Sequence, residues 1–427
     1  MAQLTRRAAL AGLIAAPALH LAEARAEPTR NLQNVIDAAT RAGRAARLPK
    51  GATTTRPLIL PPGAHLVGAS GGSTLRLSGA GPLIRGERAA RTRLEGVRFE
   101  GKSGDAKQAL VSFSNISNLD ILGCSFFDAA GDGLRIDSCG GRIAENIFER
   151  IGATALFSTD ASGLVVENNR IAGCGDNGIR IWRWRSGYDG SRVSDNRIRK
   201  IDTRSGGTGE NGNGVSLWLA DGVTASRNDV RDVAWAALRN ASCRNITFAD
   251  NVCADVKETA IWAEFAFRDA TITGNRIDGA GAGISMTNLA EHNGRGAICT
   301  GNIVRNIRPI VTPQGKVLPN QRAIHAEADA RIAGNEVDGS PWVGINLGWG
   351  PYLQNVSVED NTIRNAPYAI GFSVAPGAGR GRIVGNRIAN AGKAAVVALR
   401  WEDVASGDLL DGCGKWPNVE CALNRRI

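Results

Sequence analysis

Short apolar segments separated by glycines and polar turns recur along most of this chain. The most regular mark is an Asn-x-apolar triplet, preceded by a short segment such as Leu164–Val166 and followed by another such as Gly178–Ile179. The triplets begin at Asn146, Asn169, Asn196, Asn228, Asn251, Asn275, Asn302, Asn335, Asn361 and Asn386. Because the segments are short, β-branched and alternating in polarity, they predict strands.

The spacing of the triplets, on average about 27 residues, suits three short strands closing one coil of a parallel β-helix. One coil cannot bury its own apolar residues, so coils must stack, about 4.8 Å apart. An inward Asn can then bond to the Asn of the next coil. Helical repeats fit poorly, because glycines interrupt the short segments. We predict an all-β fold with a single parallel β-helix of about 12 coils.

An amphipathic helix is predicted ahead of the repeats, at residues 31–43. Its apolar positions, spaced i, i+3, i+4 and i+7, are Leu32, Val35, Ile36 and Ala39. Gly43 can end this helix. The helix would cover the open first coil, hiding its unpaired strand edge and its apolar core.

The first 26 residues have the pattern of an export signal. Thr5-Arg6-Arg7 precedes an apolar stretch, and Ala24-Arg25-Ala26 supplies small residues for cleavage. The paired arginines resemble a twin-arginine signal, and a Sec signal or an uncleaved helix are the alternatives. We therefore divide the chain into a signal peptide (1–26), a capping helix with first coils (27–93), repeats (94–400) and a C-terminal cap (401–427). The expected location is periplasmic or secreted.

Three of these motifs carry a family resemblance: Thr5-Arg6-Arg7, the run from Leu32 to Ala39, and the Asn ladder. The chain resembles the right-handed parallel β-helix proteins of the pectate-lyase-like superfamily, and within it a group of bacterial twin-arginine-translocated repeat proteins. The resemblance covers essentially the whole mature chain and implies a right-handed coil. It leaves function open, because the superfamily includes polysaccharide lyases, hydrolases, epimerases, tailspike adhesins and non-catalytic members.

One outer surface of the predicted β-helix is rich in Trp and Arg. The second strand of each coil begins with an inward residue. Because side chains alternate, the second and fourth residues of that strand face outward. Substrate-binding candidates on this surface are Trp182, Trp184, Trp218, Trp262, Arg180 and Arg135. Indole faces stack on sugars, and arginines pair with uronic-acid carboxylates. Alternatively, no sugar binds there and the tryptophans are covered by loops, for which the insertions at 183–192, 202–213, 288–297 and 308–322 are available.

Four residues of the same surface are candidates for catalysis: Glu264, Glu327, Arg239 and His325. The two carboxylates lie two coils apart, about 10 Å, which is at or slightly beyond the range of an inverting hydrolase. A lyase needs a base and a cation beside the substrate carboxylate, for which Arg239 and His325 are available. His325 taken alone is typical of a structural surface histidine. Asp132 and Asp176 are interpreted as turn residues.

Composition and charge limit the classes of binding partner. With 51 Lys+Arg against 41 Asp+Glu, the formal net charge is +10. Because the arginines are spread over every coil, an acidic polysaccharide or envelope glycan is a better partner than nucleic acid. No apolar run long enough for a transmembrane anchor follows the signal. No cofactor and no structural metal are predicted, although Ca²⁺ held by loop carboxylates is compatible with the sequence.

Eight cysteines in an exported chain raise the question of disulfides. Cys413 and Cys421 lie in the non-repeating tail, where a bridge would fasten the C-terminal cap. Cys124 and Cys253 occupy core-like positions and are interpreted as buried thiols.

These observations predict an exported β-helix protein that binds or processes an acidic polysaccharide. If it is an enzyme, a polysaccharide lyase or a glycoside hydrolase is expected. The alternative is a non-catalytic glycan-binding or cell-envelope structural β-helix, and a trimeric tailspike-like adhesin is the third reading.

Overall fold

The computed structural model describes residues 28–101, 105–207, 209–311 and 315–427. The predicted signal peptide lies outside these ranges. The described chain is one parallel β-helix whose strands pair from coil to coil in three sheets. The predicted fold class is therefore confirmed. Within the described ranges, no helix has the length and apolarity needed to cross a membrane.

The strands of each coil follow one another through the three sheets. The first sheet contains Ala46–Arg47, His65–Val67, Gly141–Ala144, Val165–Glu167, Arg192–Ser194, Thr224–Ser226, Thr247–Ala249, Arg268–Thr273, Arg295–Thr300, Ala328–Ala333, Gln354–Glu359, Gly381–Val384 and Val419–Ala422. The second contains Gly51–Thr55, Ser73–Leu77, Val97–Glu100, Ser125–Phe127, Ile147–Ile151, Arg170–Cys174, Arg197–Ile201, Asp229–Val233, Ile303–Arg305, Glu336–Asp338 and Arg425–Arg426. The third contains Leu58–Leu60, Leu134–Asp137, Thr154–Thr159, Asn177–Tyr188, Asn213–Asp221, Leu238–Ala241, Arg322–Ala326 and Val343–Leu347.

Longer strands pass from one sheet into the next. They are Ile84–Glu95, Val111–Leu122, Val252–Glu264, Arg276–Met286, Thr362–Ser373 and Arg387–Arg400. Outside the sheets of the coil, Ile310–Val311 and Val317–Leu318 form an antiparallel hairpin, and Asp403–Val404 folds back on the end of Arg387–Arg400. Two short helical turns, Leu289–His292 and Gly350–Tyr352, interrupt the coils.

The helix before the coils spans Pro28–Arg41, so it begins three residues and ends two residues earlier than predicted. Its Leu32 and Ile36 are buried on the core. Val35, predicted on the same face, is instead 42% exposed. The side chain of Gln33 accepts from the main-chain N–H of Ile59 and donates to its carbonyl, at 3.0 and 2.7 Å. The helix thus satisfies part of the edge of Leu58–Leu60.

The ladder asparagines bond to one another as predicted. For example, the main-chain N–H and the side-chain Nδ2 of Asn251 both donate to Oδ1 of Asn275, at 3.0 and 2.9 Å. Nδ2 also donates to the carbonyl of Ala225 in the preceding coil, at 3.0 Å. Asn251 itself is fully buried. Each side chain therefore replaces the strand hydrogen bonds that are lost at the corner.

The number of coils differs from the prediction, because the structure has about 14 rather than 12. The sequence pattern missed coils at both ends. The coil through Ser73–Leu77 carries no Asn triplet. The last coil carries Asn424, which accepts from Asn386 at 2.9 Å but is followed by two arginines rather than by an apolar residue.

Cysteines fall into two groups. Cys413 and Cys421 form a disulfide with a Cα–Cα distance of 5.4 Å, within the C-terminal cap. Cys124 and Cys253 are buried in the core, as predicted. Burial raises the pKa of each of these two thiols to about 12, so they stay neutral and unreactive at ordinary pH.

Candidate functional site

The third sheet presents its outward residues in the register predicted from strand alternation. Arg239 lies between Ser216 and Trp262 of the adjacent coils. Two residues further along the same strands, Ala241 lies between Trp218 and Glu264. Because the alanine side chain is small, it leaves a notch between an indole and a carboxylate.

This notch is part of a pocket of about 350 Å³, which we call the central pocket. Its lining includes Trp182, Trp218, Arg239, Ala241, Glu264 and Phe265. The structure therefore brings together four of the predicted site residues, namely Trp182, Trp218, Arg239 and Glu264. A concave site that combines aromatic walls with a few convergent polar groups is typical of ligand binding.

A buried ion pair lies at the base of the central pocket. Nε of Arg239 donates to Oε1 of Glu264 at 2.5 Å, and the two side chains are only 6% and 4% exposed. The guanidinium carbon also lies 5.1 Å from the ring centre of Trp262. Burial raises the pKa of Glu264, and the positive charge of Arg239 opposes this. Burial thus favours the neutral form of this carboxyl, whereas Arg239 favours its charged form.

The loop between Arg197–Ile201 and Asn213–Asp221 packs against this ion pair. A Cβ on Gly209 would lie 1.6 Å from Nη1 of Arg239, and the φ of Gly209 is +128°. Only glycine allows the backbone to approach the guanidinium so closely in that conformation. The predicted insertion at 202–213 therefore borders the pocket instead of closing it.

Five aromatic rings line up along the rod and pass the central pocket. They are Phe157, Trp182, Trp218, Phe265 and His292, and we call them the aromatic row. Successive ring centres lie 5.4, 6.3, 6.1 and 5.0 Å apart. Trp218, in the middle, is 37% exposed. No cover among the described residues hides it from solvent.

Phe265 joins this row at a corner of its coil. It follows Glu264 with a φ of 55°, in the left-handed region. The equivalent corners of the adjacent coils, Ser242 and Asn288, have the same conformation, as does Leu219 two coils before Phe265. The left-handed corner is thus a regular feature of the coil, and at Phe265 it places an aromatic ring beside the pocket.

The predicted arginines have partners of their own. Arg180 donates to the carbonyl of Glu210 at 3.0 Å and to the side chain of Asn211, and its guanidinium lies 4.7 Å from the ring of Trp182. Arg135 lies 3.9 Å from Asp132 and remains 42% exposed. Burial lowers the pKa of Arg180. Of these two arginines, Arg135 is the one whose side chain is accessible to a ligand.

Two of the predicted tryptophans lie outside the central pocket. Trp184 is 66% exposed, in the irregular stretch between Trp182 and Gly187 where strand register shifts. Trp262 donates to the hydroxyl of Thr287 at 3.1 Å and lies under Arg239, so its face is already occupied.

Two other predicted catalytic residues, His325 and Glu327, are engaged elsewhere. Oε2 of Glu327 accepts from the main-chain N–H of Leu289 at 2.8 Å, which anchors the insertion at 288–297. Nδ1 of His325 lies 3.0 Å from Nδ2 of Asn346. The expectation of a surface histidine is wrong, because His325 is 8% exposed and burial lowers its pKa to about 3. Both groups are therefore bound within the protein.

Sequence reasoning missed Phe265 and Gly209, which line the central pocket. Strand alternation does not reach them, because Phe265 lies at a corner and Gly209 in a loop. Glu258 lies in the irregular stretch between Val256 and Thr259 and is not among the residues that line the pocket. It is half-buried, and burial raises its pKa to about 7, against the opposing effect of Arg239.

Within the described residues, no group of three or more His, Cys, Asp or Glu side chains is arranged to hold a metal ion.

Comparison with known proteins identifies the family. The family model described as "Right handed beta helix region" matches residues 67–198 and 213–406, which is more than half of the chain. The chain belongs to the right-handed β-helix family. Comparison with curated protein sequences finds no match.

Solved structures share this fold at low sequence identity. The catalytic unit of a GH87 α-1,3-glucanase from Streptomyces thermodiastaticus strain HF3-3 is 16% identical, with a TM-score of 0.52, over 93% of this chain and 65% of that one. The pre-mature gene product 12 of bacteriophage phi29 is 14% identical, with a TM-score of 0.49, over 85% and 51%. Alginate lyase AlyF-OU02 in complex with G6 is 13% identical, with a TM-score of 0.49, over 78% and 82%. This chain thus spans less than two thirds of the first two structures, and the likeness is one of fold.

Proposed function

We propose that this protein binds an acidic polysaccharide along the aromatic row and processes it at the central pocket. The observation that carries the proposal is the open notch between Trp218 and Glu264, with the buried Arg239–Glu264 pair at its base. Burying an ion pair is expensive for stability, and exposing aromatic rings is unfavourable without a partner. A ligand that meets both groups accounts for their combination.

A glycan is the ligand class that suits this geometry. Flat aromatic faces contact the apolar faces of sugar rings, while hydroxyl groups need charged or polar partners. The aromatic row supplies the first, with ring centres 5.0 to 6.3 Å apart. Arg239, Glu264 and Ser216 supply the second. The net charge of +10 and the accessible Arg135 at one end of the row favour an acidic sugar.

A polysaccharide lyase is the reaction class that we favour. A base removes the proton beside the uronic-acid carboxylate, the C–O bond to the leaving sugar breaks, and that oxygen takes up a proton. Glu264 has the raised pKa of a proton-exchanging group, and Arg239 supplies the cation beside it. A hydrolase using Glu327 as second carboxylate fits less well, because Glu327 accepts from Leu289.

The second candidate is a non-catalytic glycan-binding protein. The observation that favours it is the closure of the ion pair, since both Nε and Nη2 of Arg239 lie 2.5 Å from Oε1 of Glu264. Groups that satisfy each other in this way can hold a sugar without reacting with it.

Export through the twin-arginine route to the periplasm or the medium is part of the proposal, as is kinship with the translocated repeat proteins. It is supported by Thr5-Arg6-Arg7 and by the Cys413–Cys421 disulfide, since disulfides persist in oxidising compartments. Fusing residues 1–30 to a reporter, with Arg6→Lys and Arg7→Lys as the matched control, tests the route. Export that is unchanged in the control would exclude it.

An activity screen of the purified protein tests the function. Polygalacturonate, alginate and neutral glucans are incubated with and without Ca²⁺, and new reducing ends are measured beside the ultraviolet absorbance of unsaturated ends. A lyase yields both signals, and Glu264→Gln abolishes them while Glu336→Gln, on the second sheet, does not. Reducing ends alone would indicate a hydrolase. Binding without either signal would favour the second candidate, and neither binding nor cleavage would contradict the proposal.

A further inference from the structure

A second group of aromatic rings lies on the third sheet, nearer the C-terminal end of the rod. We call it the C-terminal cluster, and it consists of Trp342, Trp349, Tyr352 and Trp401. Arg322, the first residue of the strand Arg322–Ala326, lies against two of these rings. This strand follows that of Arg239 by three coils, so Arg322 lies about 14 Å further along the rod than the central pocket.

Two indole rings hold the guanidinium of Arg322 between them. Its central carbon lies 4.5 Å from the ring centre of Trp342 and 4.7 Å from that of Trp349. Such contacts favour the positive charge and fix the plane of the guanidinium. Burial lowers the pKa of Arg322 to about 10, so the side chain stays charged in neutral solution.

The hydrogen bonds of this arginine are incomplete. Nε and Nη2, which form one edge of the guanidinium, are buried and have no hydrogen-bond partner among the described residues. The two carboxylates whose charges act on Arg322 are engaged elsewhere. Oε2 of Glu327 accepts from Leu289 and Oε2 of Glu402 accepts from Asn320, both at 2.8 Å. Unsatisfied buried donors are rare, and this edge of an arginine matches the two oxygens of a carboxylate.

The C-terminal cluster reaches the surface through Trp401. This ring is 46% exposed, at the turn between Arg387–Arg400 and Asp403–Val404. It lies edge-on to Trp349, with ring centres 5.3 Å apart, and rests on the backbone of Gly350, where a Cβ would overlap the indole. Trp349 and Arg322 are half-buried. A cation with unsatisfied donors thus borders an exposed aromatic surface that is fixed in place.

We propose that Arg322 and the C-terminal cluster form a second binding site on the third sheet, which takes the carboxylate of an acidic sugar. The carboxylate accepts from the guanidinium, and the sugar ring packs against Trp349 and Trp401. Trp349, as the half-buried side of the clamp, shifts to admit the carboxylate. That the ligand is a sugar rests on the proposed function. One sugar contacts few groups here, so its dissociation constant is on the order of millimolar.

A titration that observes Arg322 itself tests this site. Full-length protein labelled with ¹⁵N-arginine is followed at the Nε–H signals, and that of Arg322 is identified by its absence in Arg322→Lys. Sodium glucuronate should shift this signal with a midpoint on the order of millimolar, whereas glucose and sodium chloride at equal ionic strength should not. The matched control is the signal of Arg331, a 54% exposed arginine of the first sheet. No shift with glucuronate, or an equal shift with chloride or at Arg331, would overturn the proposal.

Two milder variants keep the test independent of whether Arg322→Lys folds. Trp401→Ala removes an exposed ring and should weaken glucuronate binding about threefold. Glu402→Gln removes the neighbouring negative charge and should strengthen binding about twofold. Trp184→Ala removes an exposed ring elsewhere on the third sheet and should leave glucuronate binding unchanged. Affinities that are the same in all three variants would contradict the site. Circular dichroism confirms that each variant is folded.

The same titration separates this site from the central pocket. Ala241→Leu fills the notch of that pocket and should leave the glucuronate shift at Arg322 unchanged. A shift at Arg322 in a protein that does not bind hexameric oligogalacturonate would remove the proposed function and retain the second site. Hexamer binding that depends on Ala241, with no response at Arg322, would retain the proposed function and refute this inference.

Discussion

Two regions of the third sheet carry an outward glutamate beside an arginine or a histidine, and only one of them borders the central pocket. Glu264 and Arg239 border the central pocket, since Ala241 leaves room beside them. Glu327 lies two coils further along the rod, where the main-chain N–H of Leu289 already occupies its carboxylate. Both carboxylates are nearly buried, so the two regions differ in the partners of the acid: Glu264 pairs with a side chain at the edge of a pocket, whereas Glu327 is held by the main chain.

Removing the guanidinium of Arg239 should have the largest effect. Arg239→Ala leaves Glu264 buried without its partner, which should lower the free energy of unfolding by about 3–5 kcal/mol. Urea denaturation measures the change. The matched control is Arg331→Ala, which breaks an ion pair of a 54% exposed arginine with Glu359 and should lose no more than about 1 kcal/mol. Equal losses in the two variants would contradict the burial of the Arg239–Glu264 pair.

Truncating Glu327 tests the second region, in which the carboxylate is bound by the main chain. Glu327→Ala leaves the N–H of Leu289 without its acceptor and should cost about 1–3 kcal/mol of stability. Amide hydrogen exchange at residues 288–297 should rise in parallel. Glu327→Gln keeps an acceptor oxygen and should lose less. A variant as stable as the wild type, with unchanged exchange, would show that Glu327 does not anchor the insertion.

The acid sensitivity of His325 gives a third contrast. Its folded pKa of about 3 lies below its unfolded value near 6.5, so the unfolded chain binds the proton first as the pH falls. Stability should decline below pH 6.5, and by pH 5 the wild type should lose about 2 kcal/mol more than His325→Asn. Urea denaturation at both pH values in both proteins isolates this effect from the carboxyl groups that they share. Parallel pH profiles would mean that the imidazole is accessible to solvent.

The aromatic row should show the smallest effect, and it concerns ligand binding alone. Trp218→Ala removes the exposed ring beside the notch and should weaken binding of hexameric oligogalacturonate by about 1–2 kcal/mol, measured by calorimetry. Trp184→Ala removes an exposed ring outside the pocket and should weaken binding less. A larger loss in Trp184→Ala would move the ligand to the stretch after Trp182.

Much of the fold could be predicted from the sequence, because stacked coils repeat the same chemistry at fixed spacing. The Asn ladder and the outward positions of Arg239 and Glu264 follow from that spacing and from strand alternation. The site was less predictable. Phe265 lies at a corner where alternation ends, and Gly209 lies in a loop, so strand alternation reaches neither. Pattern alone could not show that Glu327 is occupied, because Leu289 lies 38 residues before it.

The most direct test of the comparison is oligosaccharide binding to two variants, one in each region. Ala241→Leu fills the notch of the central pocket, and Glu327→Gln alters the occupied region without blocking the pocket. Titration calorimetry with hexameric oligogalacturonate and oligoalginate should show binding to the wild type, near-wild-type binding to Glu327→Gln, and none to folded Ala241→Leu. Undiminished binding by Ala241→Leu, or loss of binding in Glu327→Gln alone, would contradict the assignment of the central pocket as the glycan site.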